Sequence, residues 1–330
     1  MKEFAGRLAV VTGGGTGMGR EICLELAKLG ANLALCDISN DNMAETRRLC
    51  LEANDALNVS THLCDVSNEA QVLAFRDAAL NEHDTDHIHL LFNNAGIGGG
   101  GSFVLDEREH WEKTFNVCWF GVYYCSRAFL PALMAAEDAH LVNTSSINGF
   151  WASLGPDTPH TAYCAAKFAV KGFSEALITD LAINAPHVKV SVVMPGHIGT
   201  QIVANSLAFL GRDPASLSSD DIEEVRQQLA DAGLPVGNLP DDDIRALIAQ
   251  QAQAFESEAP TTAATAAQII LDGVKNDRWR ILVGDDALVV DEAVRAEPER
   301  AYDRAFTEEL LARGHFAALI QTASGAATAT

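Results

Sequence analysis

Short apolar runs alternate along the chain with stretches in which apolar residues return every third or fourth position. Residues 7–12 (RLAVVT) are such a run, β-branched at its end, as a strand buried on both faces requires. A glycine-rich turn follows, and then Ile22, Cys23, Leu26 and Leu29 recur at helical spacing until Gly30 stops the helix. Residues 31–36 form a second strand that ends on Asp37. The pattern goes on with strands over 58–63, 87–92, 140–144, 188–194 and 279–283 and helices over 69–81, 161–183 and 262–277. A long amphipathic stretch over 111–134 carries Asn116. Strands alternating with helices predict an α/β architecture: a Rossmann-type, doubly wound parallel sheet of about seven strands with helices on both faces.

Ligands bind such sheets beyond the carboxyl ends of the strands. The turn after the first strand reads Gly13-Gly14-Gly15-Thr16-Gly17-Met18-Gly19 and leads into a helix, where a pyrophosphate meets backbone N–H groups. Asp37 could cap a helix, as Ser39 or Asn40 could, but at the end of the second strand a carboxylate also accepts both hydroxyls of an adenosine ribose. It would repel a 2′-phosphate, and with Ile38 after it and a neutral Thr16 no cation stands ready for one. NAD is expected, and NADP less so.

The fifth strand ends on Ser145-Ser146, and a short loop leads to Tyr163 and Lys167. A spacing of four puts tyrosine and lysine on one helix face. Bringing a phenol from its ordinary pKa of ~10 to neutrality takes about 3 units, roughly 4 kcal/mol, and an adjacent cation acts in that direction.

Composition narrows the partners. The 330 residues are 48% hydrophobic and carry a net charge of −22, from 45 acids against 23 bases, which disfavours nucleic acid and anionic membrane. Seven scattered cysteines without CxxC spacing suit a reduced compartment, and no metal site is expected. No apolar run approaches the ~18 residues of a membrane span, and the start Met1-Lys2-Glu3-Phe4 reaches a strand too soon for a signal peptide, so a cytoplasmic setting is expected.

In their order, Thr12-Gly13, Gly17 and Gly19, then Asp65, Asn93-Asn94-Ala95-Gly96, Asn116, Ser146, Tyr163, Lys167 and Pro195-Gly196 resemble the motifs of the short-chain dehydrogenase/reductase family over residues 4–200. The resemblance implies that Tyr163 is general base in oxidation and general acid in reduction. It implies that Lys167 lowers the phenol's pKa and binds the nicotinamide ribose, that Ser146 holds the substrate oxygen with Ser145 behind it, and that Asn116 supports a water chain. It further assigns cofactor contacts to Gly15, Met18, Asp65, Val66, Asn94, Ala95, Gly96, Pro195, Gly196, Ile198 and Thr200, and has Asn93 brace the sheet. The loop between Ser146 and Tyr163 is slightly longer than is common in the family. It would bring Phe150, Trp151 and His160 near the substrate; the plainer reading leaves Trp151 in the core and His160 in solvent.

Beyond Thr200, residues 201–211 are apolar, and acidic amphipathic stretches over 219–232 and 241–257 read as helices, so 201–260 is expected to form a helical substrate lid. Residues 285–330 read as a C-terminal extension with one helix around 299–313, able to clamp a neighbouring subunit, and 321–330 as disordered. The whole, 1–330, reads as a single dinucleotide-binding catalytic domain. The expected function is hydride transfer between NAD and a hydrophobic secondary alcohol or ketone, by a homotetramer or homodimer. The alternatives are an NADPH-dependent carbonyl reductase of the same family or a dinucleotide-binding protein without turnover.

Overall fold

The computed structural model describes residues 3–99, 101–155, 158–231 and 235–313. Its sheet is built in chain order from β1 (Leu8–Thr12), followed by helix α1 (Gly17–Lys28), β2 (Asn32–Asp37), α2 (Asn40–Ala53), β3 (Val59–Leu63), α3 (Glu69–Glu82) and β4 (Leu90–Asn93). Then come α4 (Arg108–Phe115), α5 (Gly121–Ala135), β5 (Ala139–Thr144), α6 (Thr161–Asn184) and β6 (Val188–Pro195). A two-residue strand β7 (Ile198–Gly199) precedes three helices, α7 (Ile202–Phe209), α8 (Ser219–Asp231) and α9 (Asp241–Ser257). The described chain closes with β8 (Thr261–Thr262), α10 (Ala263–Lys275), β9 (Arg280–Val283), α11 (Asp285–Ala296) and α12 (Arg304–Ala312).

Seven strands pair in the order β3-β2-β1-β4-β5-β6-β9, every pairing parallel. The strand order reverses between β1 and β4, which opens a crevice at their carboxyl ends. Two cores explain the continuous apolar runs. Val10, Leu91 and Leu141 face α3 and α5 on one side, while Val11, Phe92 and Val193 face α1 and α10 on the other. Asn93 braces the sheet, donating to Asn143 Oδ1 (2.8 Å) and Ser126 Oγ (2.9 Å).

Three departures from the sequence reading matter for the site. The amphipathic stretch over 111–134 is not one regular helix, because residues Asn116–Phe120 form a π turn between α4 and α5. A π turn adds a residue and re-aims the side chains around it. The C-terminal extension begins with a helix, α11, that the sequence reading left out. The apolar stripe of its successor α12 packs within the chain: Phe306 and Leu310 are buried against Ala287, Val290 and Trp151. The disorder expected for 321–330 lies outside the described residues. Helices α8 and α9 match the two acidic segments and pack on each other through Ile222, Val236 and Ile244.

Candidate active site

Two adjoining clefts lie along the carboxyl edge of the sheet, and Ile202 of α7 lines both. The first, of about 440 Å³, runs over the turn between β1 and α1. Its glycines have specific tasks. Gly13 has φ +65, and a Cβ there would stand 2.8 Å from the Ala95 Cα. At Gly19 a Cβ would fall 1.9 Å from the Gly13 carbonyl oxygen, so α1 can approach the turn only without a side chain. Thr12 Oγ1 accepts from the backbone N–H of Asn94 (3.0 Å) and of Ala95 (3.1 Å), which fastens the segment after β4 to the glycine turn.

Asp37 lines this cleft at the end of β2. Its Oδ2 accepts from Gly15 N–H at 3.0 Å and its Oδ1 from Ile38 N–H at 2.8 Å. Ser39, not Asp37, caps α2, with its hydroxyl accepting from Asn42 N–H. No lysine or arginine is among the described residues lining the cleft. Arg20 lies nearby but is spent on the Gly15 carbonyl and the Thr46 hydroxyl. Thr16, Gly17, Met18, Asp65, Val66, Asn94, Ala95, Gly96 and Thr200 also line it, as expected. Others do not. Gly15 spends its N–H on Asp37, Pro195 is buried at the end of β6, and Gly196 opens on the second cleft. Ile198 sends its side chain into the core, while its backbone pairs with Thr261. The Asn94 Oδ1 acceptor is buried without a partner among the described residues.

The second cleft, of about 480 Å³, carries the other half of the constellation. Ser146 follows β5 and Tyr163 sits in the first turn of α6; both line the cleft, and the Ser146 hydroxyl accepts from Asn148 N–H at 3.1 Å. Ser145 donates to the Lys167 carbonyl at 2.7 Å. Lys167 is buried one turn below Tyr163, its Nζ 5.3 Å from the centre of the tyrosine ring and donating to the Thr144 carbonyl at 3.0 Å. A Cβ on Gly96 would stand 3.5 Å from that Nζ, so the ammonium underlies the first cleft as well.

Electrostatics differ from the expectation. Burial is the largest influence on Tyr163 and holds the phenol well above its ordinary range, with the Ser146 hydrogen bond pulling the other way. Burial also lowers Lys167. Desolvation is thus the leading influence on both groups and favours their uncharged forms.

Asn116 needs correcting. The π turn leaves its side chain exposed, lining neither cleft and without a hydrogen bond among the described residues. Two residues on, Cys118 is fully buried and donates to the Ile97 carbonyl at 3.2 Å. A Cβ on Gly96 would stand 3.8 Å from its Sγ and 3.5 Å from the Lys167 Nζ, so Cys118, and not Asn116, is the π-turn side chain beside the lysine.

Of the residues expected near a substrate, His160 lines the second cleft, its ring stacked 4.7 Å from that of Tyr163; burial pushes its pKa down to about 4. Phe150 and Trp151 do not line it. Trp151 is buried, donates from Nε1 to the Ala301 carbonyl at 2.7 Å and packs on Phe306. Phe150 lies 5.7 Å from the Arg280 guanidinium. The loop thus turns its aromatic side chains towards α11 and α12. Val203 and Leu207 of α7, from the apolar run over 201–211 of the expected lid, wall the cleft; so do Phe255 of α9, Asp106, His110 and Arg212, which the sequence reading did not single out. Ser206 Oγ accepts from Gly98 N–H (2.8 Å) and Asn205 donates to Thr16 (3.1 Å), so α7 is stitched to both clefts.

Residues 7–210 match the family model described as short chain dehydrogenase. The SadH protein of Mycobacterium tuberculosis is 39% identical over 213 residues, covering 64% of this chain and 74% of SadH. Epidermal retinol dehydrogenase 2 of Mus musculus is 36% identical over 200 residues, 60% of this chain and 62% of that protein. Among solved structures, a short chain dehydrogenase/reductase from Burkholderia phymatum in complex with NAD has a TM-score of 0.72 at 30% identity, covering 91% of this chain and 96% of that one.

Proposed function

The chain belongs to the short-chain dehydrogenase family, and on that footing we propose that it is an NAD-dependent oxidoreductase acting on a hydrophobic secondary alcohol or its ketone. One observation carries the reading: the Ser146 hydroxyl and the Tyr163 phenol share the wall of one cleft, with the Lys167 ammonium reaching under the next.

A dinucleotide suits the first cleft. The glycine turn leaves room where any Cβ would collide, and the buried, unpartnered Asn94 Oδ1 lacks the donor that a ribose hydroxyl would bring. Asp37 is the group that would hold the adenosine ribose, and the lack of a lysine or arginine in the described lining favours NAD over NADP. When bound, the nicotinamide supplies or accepts the hydride at the carbinol carbon.

The chain's own residues do the rest. Ser146 holds the substrate oxygen by hydrogen bonding. Tyr163 takes the hydroxyl proton in oxidation and returns it in reduction. Lys167 stabilises the phenolate as it forms. Ile202, Val203, Leu207 and Phe255 give the substrate an apolar wall. In this reading α7, α8 and α9 serve as the lid that shields the reacting atoms from water. Assembly as a homodimer or homotetramer through α5 and α6, whose Tyr123 and Phe168 are exposed, completes it.

Tyr163→Phe tests the mechanism: turnover should vanish while NAD affinity, read by titration calorimetry, persists. Retained turnover would overturn it. Assaying a panel of secondary alcohols with NAD and NADP in parallel tests the cofactor assignment, which a strong NADP preference would reverse.

A further inference from the structure

The second cleft is lined by polar side chains that proton and hydride transfer do not use. Arg212 follows α7 and is the only lysine or arginine among the described residues that line this cavity. It is half-buried, and its guanidinium has no hydrogen-bond or ion-pair partner among the described residues. That is unusual here, in a chain with 45 acids against 23 bases. Most described arginines are taken: Arg226 pairs with Asp241, Arg280 with Asp291, and Arg300 with Glu309. The acid that feels Arg212, Asp221, is itself held by the Ser218 hydroxyl and N–H.

Other polar side chains line the same cavity, among them Asp106, His110 and Gln251. Asp106 is occupied by the Ser102 N–H at 3.1 Å. The Nδ1 of His110 is buried with no partner among the described residues. The same lining carries an apolar wall: Ile202, Val203, Leu207, Leu210 and Phe255. A guanidinium forks onto a carboxylate with two parallel hydrogen bonds, and a partly dried cavity strengthens them.

We propose that the substrate carries a carboxylate remote from its carbinol, and that Arg212 binds it. The substrate is then a hydroxy or oxo acid with an apolar body, oxidised or reduced at Tyr163 while its acid end is held at Arg212. This rests on the second cleft being the substrate site of the proposed dehydrogenase. A plainer role exists, since a cation just past a helix C-terminus is favoured by the helix dipole whatever the substrate. The two roles separate by experiment.

Medium-chain hydroxy acids with a secondary hydroxyl near the far end would be assayed beside their methyl esters, with NAD and with NADP, for the natural protein, Arg212→Gln and Arg212→Lys. The natural protein should prefer acid to ester, and Arg212→Gln should shrink the acid-to-ester ratio of kcat/KM roughly 10- to 100-fold, mainly through KM. Arg212→Lys should recover part of the ratio, because it keeps the charge and loses the fork. No preference for the acid, or the same ratio in Arg212→Gln, overturns the proposal. If neither acid nor ester turns over, calorimetric binding of the acid to the NADH-loaded protein decides: equal affinity in the natural protein and Arg212→Gln overturns it, weaker binding by Arg212→Gln supports it. Turnover of neutral secondary alcohols reports separately on the dehydrogenase reading.

Discussion

The Lys167 ammonium stands 5.3 Å from the centre of the Tyr163 ring, and burial moves the two groups in opposite directions, the phenol up and the ammonium down. Both shifts favour the uncharged form. A phenol with a raised pKa keeps its proton through neutrality, so the acid needed for reduction is present there, while the base needed for oxidation grows as pH rises. Oxidation should therefore gain about tenfold in kcat/KM per pH unit on the alkaline side of neutrality, and reduction should stay flat over the same span. Steady-state profiles in both directions check this; an oxidation rate level across neutrality would contradict it. Lys167→Met should lower oxidation by roughly 100-fold or more.

The π turn sets up a contrast between neighbours. Asn116 is exposed and Cys118 is buried beside Lys167. Cys118→Ala removes packing and a hydrogen bond next to Lys167 and should cost about 1–3 kcal/mol of stability with a several-fold fall in kcat. Asn116→Ala should change stability by less than about 0.5 kcal/mol and kcat by less than the cysteine variant does. Kinetics and urea melts on the two variants give the answer, and a larger kinetic loss at Asn116 would reverse the assignment.

Trp151 ties the loop between Ser146 and Tyr163 to the segment before α12. Trp151→Ala should destabilise the protein by about 3–5 kcal/mol, as expected of a buried aromatic. Trp151→Phe should keep most of the packing and lose about 1 kcal/mol with the hydrogen bond. A stable Trp151→Ala protein with only a raised KM would return this residue to the substrate site.

His140 is fully buried between β5 and β6, its Nε2 sharing a 2.7 Å hydrogen bond with Ser191 Oγ, and burial pushes its pKa down to about 4. Its Nδ1 has no hydrogen-bond partner among the described residues, and with the Asp277 carboxylate 4.0 Å away a second proton would meet only a distant ion pair. The depressed folded pKa fixes the sign: the stabilisation is fully present above the unfolded value of ~6.5 and is lost as pH falls towards about 4. At most about 3 kcal/mol is lost this way. Melting temperatures across that window should fall with pH in the natural protein and fall less in His140→Asn; parallel curves would sink the attribution.

The sheet and the glycine turn were legible because their signals are local. A strand buried on both faces shows as an unbroken apolar run, and a turn with no room for a Cβ shows as glycine. Ser146, Tyr163 and Lys167 were legible for the same reason, as near neighbours on one strand end and one helix. The misreadings share another cause. A π turn is set by packing around it, so a regular helical period drawn through residues 111–134 pointed to Asn116 where the fold turns Cys118 inward. Trp151 is directed by a partner 150 residues further on, which no local pattern carries. Helix α11 opens on Asp285-Asp286 straight after a strand, and its polar start hid the apolar face that packs on Trp151.

That long tie also sets an order of events during synthesis. The loop joining Ser146 to Tyr163 emerges well before the chain that will anchor it, because Ala301, which receives the Trp151 indole N–H, is made 150 residues later. Parallel pairing of β9 with β6, which precedes α11 and α12, waits as well. A nascent chain can therefore hold β1 to β5 in register while its proton-transfer loop is still loose. The reactive end should then be the last part to set, after the nucleotide half.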